Sequence, residues 1–274
     1  MKYTPEQVKL IIQEKVVGQI EPAHDEKGHH YRFVGTDTTV DSVTTKLILD
    51  KPHLVTWAVE KGIEWLEKDG RWDALKTDRR KEIMTGAKLA HRDIRDDAGF
   101  VGHYGHDAIE TYSREWIETG IQPADIKTFI KSDDPRVYAV ARSGEAVFKK
   151  YEAIPVATEI LVGVPKYNSA GTLDMLVLNS AGELELWDWK SSNQVNDTYA
   201  LQVAAYKKFF EIMTGLKIKK VKIMHLSKDY DKFTVYDIPK CASAFKAFNC
   251  ISGVYDYMRD GKPKLIKDVK RITL

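Results

Sequence analysis

The sequence predicts an α/β protein in which a mixed central sheet is flanked by helices. Three observations predict it. Residues 156–190 hold three short runs rich in β-branched and apolar residues, VATEILVGV, GTLDMLVLN and ELELWDWK, the last two joined across a Ser-Ala-Gly turn. A helical stretch follows, then a second β pair, VKIMHL and KFTVYDI, and a last amphipathic helix, so residues 151–274 read βββαββα. Residues 1–150 read as mostly helical around one early β-hairpin. Residues 1–274 are expected to form one domain, with the change of texture near 150 as a seam between a helical layer and the β-rich core.

The hairpin is expected in HHYRFVGTDTTVDSVTT (29–45), where aromatic and β-branched residues flank a Gly-Thr-Asp turn. Helical spacing of apolar residues then recurs at about 54–68, 79–97 and 101–119, the last ended by Gly120 and Pro123. In DTYALQVAAYKKFFEIMTG (197–215), Asp197 stands as an N-cap and Gly215 as a C-cap glycine. The final helix is expected in CASAFKAFNCISGVYDYMRDG.

A hydrophobic share of 43% beside 30% charge excludes a wholly disordered chain and supports a sizeable core. No apolar run reaches membrane-span length, and the opening MKYTPEQVKL lacks the apolar segment of a signal peptide. An intracellular protein without a membrane partner is therefore expected. Only Cys241 and Cys250 are present, which excludes a cysteine-rich zinc site and a four-thiolate iron–sulfur cluster; both are expected to pack as small hydrophobes on the last helix. The formal charge of +2 says little about partners. The basic runs DRRKE (78–82), KIKKVK (217–222) and KPKLIKDVKR (262–271) read as solvated faces.

The chemistry is concentrated in the second and third strands. Alternation places Leu184, Leu186, Asp188 and Lys190 on one face of ELELWDWK, so an acid and a base leave an apolar face together. Asp174 lies among Leu173, Met175, Leu176 and Val177, where an unpaired carboxylate costs several kcal/mol. Two acids on neighbouring strands repel, and Lys190 or a divalent ion would offset that repulsion. A metal at Asp188 would lower the pKa of a bound water and polarise a phosphoryl group, with Lys190 orienting the nucleophile. A buried ion pair that only holds strand register explains Asp188 and Lys190 equally well. Gln202 and Tyr206, four apart on the next helix, share one face just downstream.

Taken together, Gly171-Thr-Leu-Asp174, Asp188-Trp-Lys190 and Gln202-Val-Ala-Ala-Tyr206 resemble the PD-(D/E)XK nuclease superfamily, in its RecB-like exonuclease branch. GHYGHDAIE (102–110) is similar to that branch's helix, with His106 followed by Ile109 and Glu110. DSVTTKLI (41–48), with Leu54 and Trp57, is similar to the N-terminal part of phage-encoded and mitochondrial genome-maintenance exonucleases. The resemblance spans most of residues 40–215. It implies a restriction-endonuclease-like core that hydrolyses DNA phosphodiesters with Mg²⁺ or Mn²⁺. By position, Asp174, Asp188, the Trp189 carbonyl and His106 would be metal ligands, with Glu159 a further acid beside the ion. Lys190 would be the catalytic lysine, Gln202 and Tyr206 would position the strand, and Ser191 and Ser192 would contact phosphate. Leu173 stands where the superfamily's proline would be. The cysteines of iron–sulfur relatives are absent, and no Walker A sequence occurs, so neither a cluster nor ATP is expected.

The function expected on this resemblance is a metal-dependent DNA exonuclease acting at single-stranded ends, in phage or mobile-element recombination or replication. Its partners would be DNA and a recombination or replication protein, in the cytoplasm of a bacterial host. A structure-specific endonuclease, an inactive nucleic-acid-binding module and a structural protein with a buried ion pair remain as alternatives. Trp57, Trp65, Trp72, Tyr104, Tyr112 and Trp116 read as packing residues. Arg79, Arg80, Arg92 and Arg95 read as solvated, and His29, His30, His91 and His225 as without specific role.

Overall fold

The structure, a computed structural model, describes residues 1–25, 28–50, 55–69, 77–229 and 232–260. Within them one mixed sheet is built of eight strands, β1 (Ile20–Asp25), β2 (Gly28–Phe33), β3 (Thr39–Ser42), β4 (Ile154–Val164), β5 (Ser169–Leu178), β6 (Leu184–Lys190), β7 (Lys220–Leu226) and β8 (Phe233–Asp237). Seven helices accompany it: α1 (Pro5–Lys15), α2 (Val43–Lys46), α3 (Val55–Asp69), α4 (Thr77–Thr119), α5 (Pro135–Tyr151), α6 (Thr198–Thr214) and α7 (Cys241–Asp260). The chain is an α/β protein. No helix among the described residues is long and apolar enough to cross a membrane.

Both faces of the sheet are covered, so β6 is buried along nearly its whole length. Leu184 and Leu186 pack with Val203, Phe209 and Phe210 of α6 and Val8 and Ile12 of α1. Trp187 and Trp189, one residue out of phase, pack on the other face with Ile109 and Tyr112 of α4 and Val140 and Phe148 of α5. Glu185 shares that second face, and its burial needs partners. It accepts from Asn179 Nδ2 at 2.9 Å and Trp187 Nε1 at 3.1 Å, and it pairs with Lys222 Nζ at 2.8 Å. The Lys222 ammonium also lies 4.3 Å from the Tyr151 ring centroid.

Several expectations are corrected here. The helices expected at 79–97 and 101–119 are one 43-residue helix, α4. Isolated glycines weaken a helix by about 1 kcal/mol each relative to alanine but do not stop it when packing compensates. Gly105 supplies such packing, since a Cβ there would lie 2.5 Å from Val140 Cγ1. The early hairpin exists as β2–β3, with Tyr31 opposite Val40, but it ends at Ser42, whose Oγ accepts from Thr45 N at 2.9 Å and starts α2. The extra strand β1 pairs with β2 at the sheet's end, where Pro22 is tolerated. Asp197 makes no capping bond; Asn196 Oδ1 accepts from Thr198 N at 2.9 Å instead. Gly215 ends α6 as expected, at φ 75°.

Of the two cysteines, Cys241 is partly buried and Cys250 is exposed, so only the first packs as a small hydrophobe. Within KIKKVK the reading as a solvated face fails at Lys222, because that residue falls on the covered face of β7. The side chains of DRRKE, including Arg79 and Arg80, lie outside the described residues, as do Trp72, His29, Leu54 and KPKLIKDVKR.

The Glu185–Lys222 pair makes a prediction. Lys222→Met leaves a buried carboxylate without its counter-charge and should cost about 3 kcal/mol. The double variant Glu185→Gln/Lys222→Met should recover most of that loss, read as the urea midpoint.

Candidate active site

The sheet forks at β5. Strand β4 pairs with β5 from Ser169 to Leu178 and so occupies one of its edges. The other edge is shared: β3 takes Ser169 and Ala170 in parallel, and β6 takes Met175 to Leu178 antiparallel. The β5–β6 ladder stops at Met175↔Trp187, and β6 continues beside β7 alone, with Asp188 opposite Ile223 and Lys190 opposite His225. One step past that last pair, the register sets Asp174 facing Asp188. On the other side, the register between Thr158↔Met175 and Ile160↔Leu173 sets Glu159 facing Asp174. Three acids therefore form one row across three strands. Glu159 interrupts its strand there, at φ 51° in the left-handed region.

The fork is closed by a side chain in place of the backbone ladder. Asp174 Oδ2 accepts the Trp189 N–H at 2.9 Å. Asp188, fully buried, has Lys190 Nζ 2.5 Å from its Oδ2. Its Oδ1 has no hydrogen-bond partner, and neither has His106 Nε2, also buried, on α4. Buried polar atoms without partners are rare, and each needs a reason.

The electrostatics follow from burial. Desolvation raises the Asp188 carboxyl to about 6, with the Asp174 charge adding to the shift and Lys190 and His106 opposing it. Desolvation likewise raises Asp174, against the pull of Lys190 and the Trp189 N–H. Lys190 is desolvated too, yet the two carboxylates outweigh this and hold its pKa above the usual value, so it stays an ammonium ion. That ammonium stands 4.9 Å from the Tyr199 ring centroid. Desolvation and then Lys190 lower His106 to about 4, leaving a neutral imidazole able to donate a lone pair. Glu159 is exposed as a residue, but protein crowds its carboxyl, and that with Asp174 and Glu110 pushes it up to about 8.

Asp174, Lys190 and His106 open on a cleft of about 710 Å³ whose lining also includes Trp57, Arg95 and Gly102 of α3 and α4, Tyr199 and Lys228, while Asp188 is buried behind it and Glu159 does not line it. Ser191 and Ser192 are at its wall. A Cβ on Gly102 would come 2.9 Å from Ser191 Oγ, so that glycine admits the loop against α4. Ser192 Oγ is already engaged, donating to Gln194 O at 2.7 Å and accepting from Tyr199 OH at 3.3 Å.

Gln202 and Tyr206 do not line this cleft. They are buried and joined to each other, Gln202 Nε2 donating to Tyr206 OH at 3.1 Å. Tyr206 lies under Gly171, where a Cβ would come 2.6 Å from Tyr206 Cε1. Their place is beside the acids, whose charges reach the Tyr206 hydroxyl. His225 is corrected: its Nε2 lies 2.6 Å from the Ser192 carbonyl and pins the loop after Lys190 to β7. Tyr199, Asn193 and Lys228 are cleft residues that sequence reasoning missed. Only the i, i+7 spacing of Tyr199 and Tyr206 on α6 offered a signal.

No three His, Cys, Asp or Glu side chains among the described residues converge as a ready metal site. The donor types nevertheless fit a divalent ion: a buried and a half-buried carboxylate and a neutral imidazole, with one atom of Asp188 and one of His106 unpartnered. Cysteine is absent from the row, as hard oxygen-seeking ions require.

No family model matches the chain, and no curated protein matches it. Among solved structures it is similar to the crystal structure of SSO0001, at 16% identity over 57% of this chain and 75% of that one, with a TM-score of 0.29. A likeness at that level bears on neither fold nor function.

The raised Asp188 carboxyl sets a pH dependence. Its ordinary value is 3.8 and its folded value about 6, so its contribution to stability is whole below 3.8 and is lost as pH rises through about 6. Asp188→Asn removes that loss, while Lys190 keeps Asp174 as counter-charge. The melting temperature of the variant relative to wild type should climb across that window and then hold level. Gly171→Ala should lower stability by about 1–3 kcal/mol by driving the methyl into the Tyr206 ring, read by chemical denaturation.

Proposed function

We propose that this chain is a metal-dependent nuclease of the PD-(D/E)XK superfamily, hydrolysing DNA phosphodiester bonds from single-stranded ends. The observation that carries the reading is the row of acids at the β5–β6 fork, with Asp188 fully buried and Asp174 half-buried, beside a protonated lysine and two unpartnered ligand-type atoms. The motif resemblance assigns the same residues to metal and catalysis. In this reading Asp174, Asp188, His106 and the Trp189 carbonyl would hold Mg²⁺ or Mn²⁺, with Glu159 beside them. When bound, the ion supplies an activated water and a Lewis acid for the phosphoryl oxygens. Lys190, charged and partly solvent-accessible, offsets negative charge that develops on the phosphoryl group. Its raised pKa suits that role and not proton abstraction. Gln202, Tyr206 and Gly171 hold the floor on which Asp174 and Asp188 stand.

The reading as an end-acting enzyme is supported by the cleft's construction. Helices α3 and α4 contribute Trp57, Arg95 and Gly102 opposite the strand residues, so a strand approaches between a helical wall and the sheet. Arg95 and Lys228 supply positive charge for phosphates, and Trp57 and Tyr199 supply faces for bases. A role in phage or mobile-element recombination or replication, in a bacterial cytoplasm, rests on the motif resemblance.

The test is degradation of end-labelled linear single-stranded DNA with Mg²⁺, Mn²⁺ or EDTA. Wild type should degrade it only with metal, and Lys190→Ala should lose about 10²–10³-fold in rate. A covalently closed single-stranded circle should survive where the linear strand does not; equal digestion of both would mean an endonuclease. Independently of activity, Mn²⁺ should raise the melting temperature of wild type and leave Asp188→Asn unmoved.

A further inference from the structure

A second cavity, of about 450 Å³, lies on the other side of the loop that follows Lys190. It shares Ser191, Ser192, Asn193 and Lys228 with the catalytic cleft, so one thin wall of loop separates the two and Lys228 faces both. Its remaining lining comes from the ends of β7 and β8, including His225, Ser227, Lys232, Phe233 and Thr234. The dividing loop is held from both sides, by His225 Nε2 at 2.6 Å from the Ser192 carbonyl and by Tyr199 OH at 3.3 Å from Ser192 Oγ. The wall is therefore positioned by the same strand and helix that flank Lys190.

The lining has the chemistry of a nucleotide site. Hydroxyls and an amide (Ser191, Ser227, Thr234, Asn193) suit sugar and base edges, and the half-buried Phe233 ring offers an apolar face. Lys228 and Lys232 supply two positive charges against one carboxylate, Asp229. Lys228 is in a positive field: desolvation and the Arg136 guanidinium both press its pKa below the usual value, with Asp97 opposing. An anion at Lys228 would relieve that repulsion. A volume of about 450 Å³ lies within the roughly 300–1,000 Å³ of small-ligand pockets and is enough for one nucleotide unit.

We infer that this cavity is a nucleotide subsite, holding the phosphate, sugar and base of the strand next to the unit whose phosphate lies at Lys190. The inference rests on the reading of the main cleft as a site for a DNA strand. It adds a binding role for Lys232 and Asn193, extends that of Lys228 to a second unit, and makes the Ser191–Asn193 loop the divider between adjoining units of the bound strand.

The experiment is fluorescence anisotropy with labelled oligothymidylates of increasing length, in Ca²⁺, over a range of salt concentrations. Wild type is compared with Lys232→Ala, Thr234→Trp and Lys217→Ala, the last removing an exposed lysine outside both cavities. Lys232→Ala should weaken binding about tenfold at low salt and lower the slope of log K against log salt by about 0.7, as loss of one single-strand phosphate contact requires. Thr234→Trp, which fills the cavity without changing charge, should weaken binding with the slope unchanged. Lys217→Ala should match wild type. If Lys232→Ala behaves as Lys217→Ala does and Thr234→Trp binds as wild type does, the subsite is overturned, even where metal-dependent cleavage persists. Wild type and variants that bind the strand with these losses, with no cleavage in either Mg²⁺ or Mn²⁺, leave the subsite standing and overturn the nuclease. A wild type that binds no oligothymidylate overturns the subsite outright.

Discussion

The structure depends on the hydrogen bond by which the Asp174 carboxylate takes the Trp189 N–H, at the point where β6 leaves β5. A strand that departs from its neighbour inside a covered sheet strands backbone donors, and each buried orphan costs free energy comparable to a lost hydrogen bond. Asp174 satisfies one of them and so lets the sheet split. The split brings β3 to the other end of β5's free edge and leaves an opening between. Asp188 faces that opening, and the cleft, the loop after Lys190 and the floor under Gly171 all take their places from it.

The cost of this arrangement is a concentration of negative charge in a dry place. Asp174, Asp188 and Glu159 are all driven toward protonation, chiefly by desolvation. Lys190 offsets the charge only in part, since one ammonium faces the carboxylates of both Asp188 and Asp174. A purely structural ion pair would be better served by the solution at the other face of the same strand. There Glu185 has Lys222, Asn179 and Trp187, and its pKa is lowered. The contrast between Glu185 and Asp188, three residues apart on one strand, separates a fully satisfied pair from a site held short of a cation.

Much of the fold was legible because its signals are local. The three β runs, the helix ending at Gly215, the β7–β8 pair and the last helix follow from periodicity and turn chemistry. Legible too was the cluster of Asp174, Asp188 and Lys190, because two acids and a lysine in apolar strands contradict their surroundings. Illegible were features set by contacts distant in the chain. Pairing of β1 with β2 at the sheet's end accommodates a proline that argues locally against a strand. Continuity of α4 past Gly99, Gly102 and Gly105 goes with the packing of Val101, Ala108, Ile109 and Tyr112 in one cluster with α5 and the sheet, and with the close approach of Gly105 to Val140. The shared helical face of Gln202 and Tyr206 was legible from their spacing, but not that it lies inward, which follows because α6 has helical partners and a strand face to cover.

The amino-acid sequence by itself determined which residues must be answered for: two acids and a lysine in strands that should be apolar, with a glycine three residues before the first acid and a glutamine and a tyrosine on the helix after the lysine. Only the tertiary structure decided what answers them. It places Asp174 on a backbone N–H, leaves Asp188 Oδ1 and His106 Nε2 without partners, puts Tyr206 beneath Gly171, recruits Tyr199 and Lys228 to the cleft, and sets His225 against the loop after Lys190. The physical reason is that burial and desolvation are collective. A carboxylate's charge state depends on strands and helices far from it in the chain, and no local pattern of residues records which of them arrive.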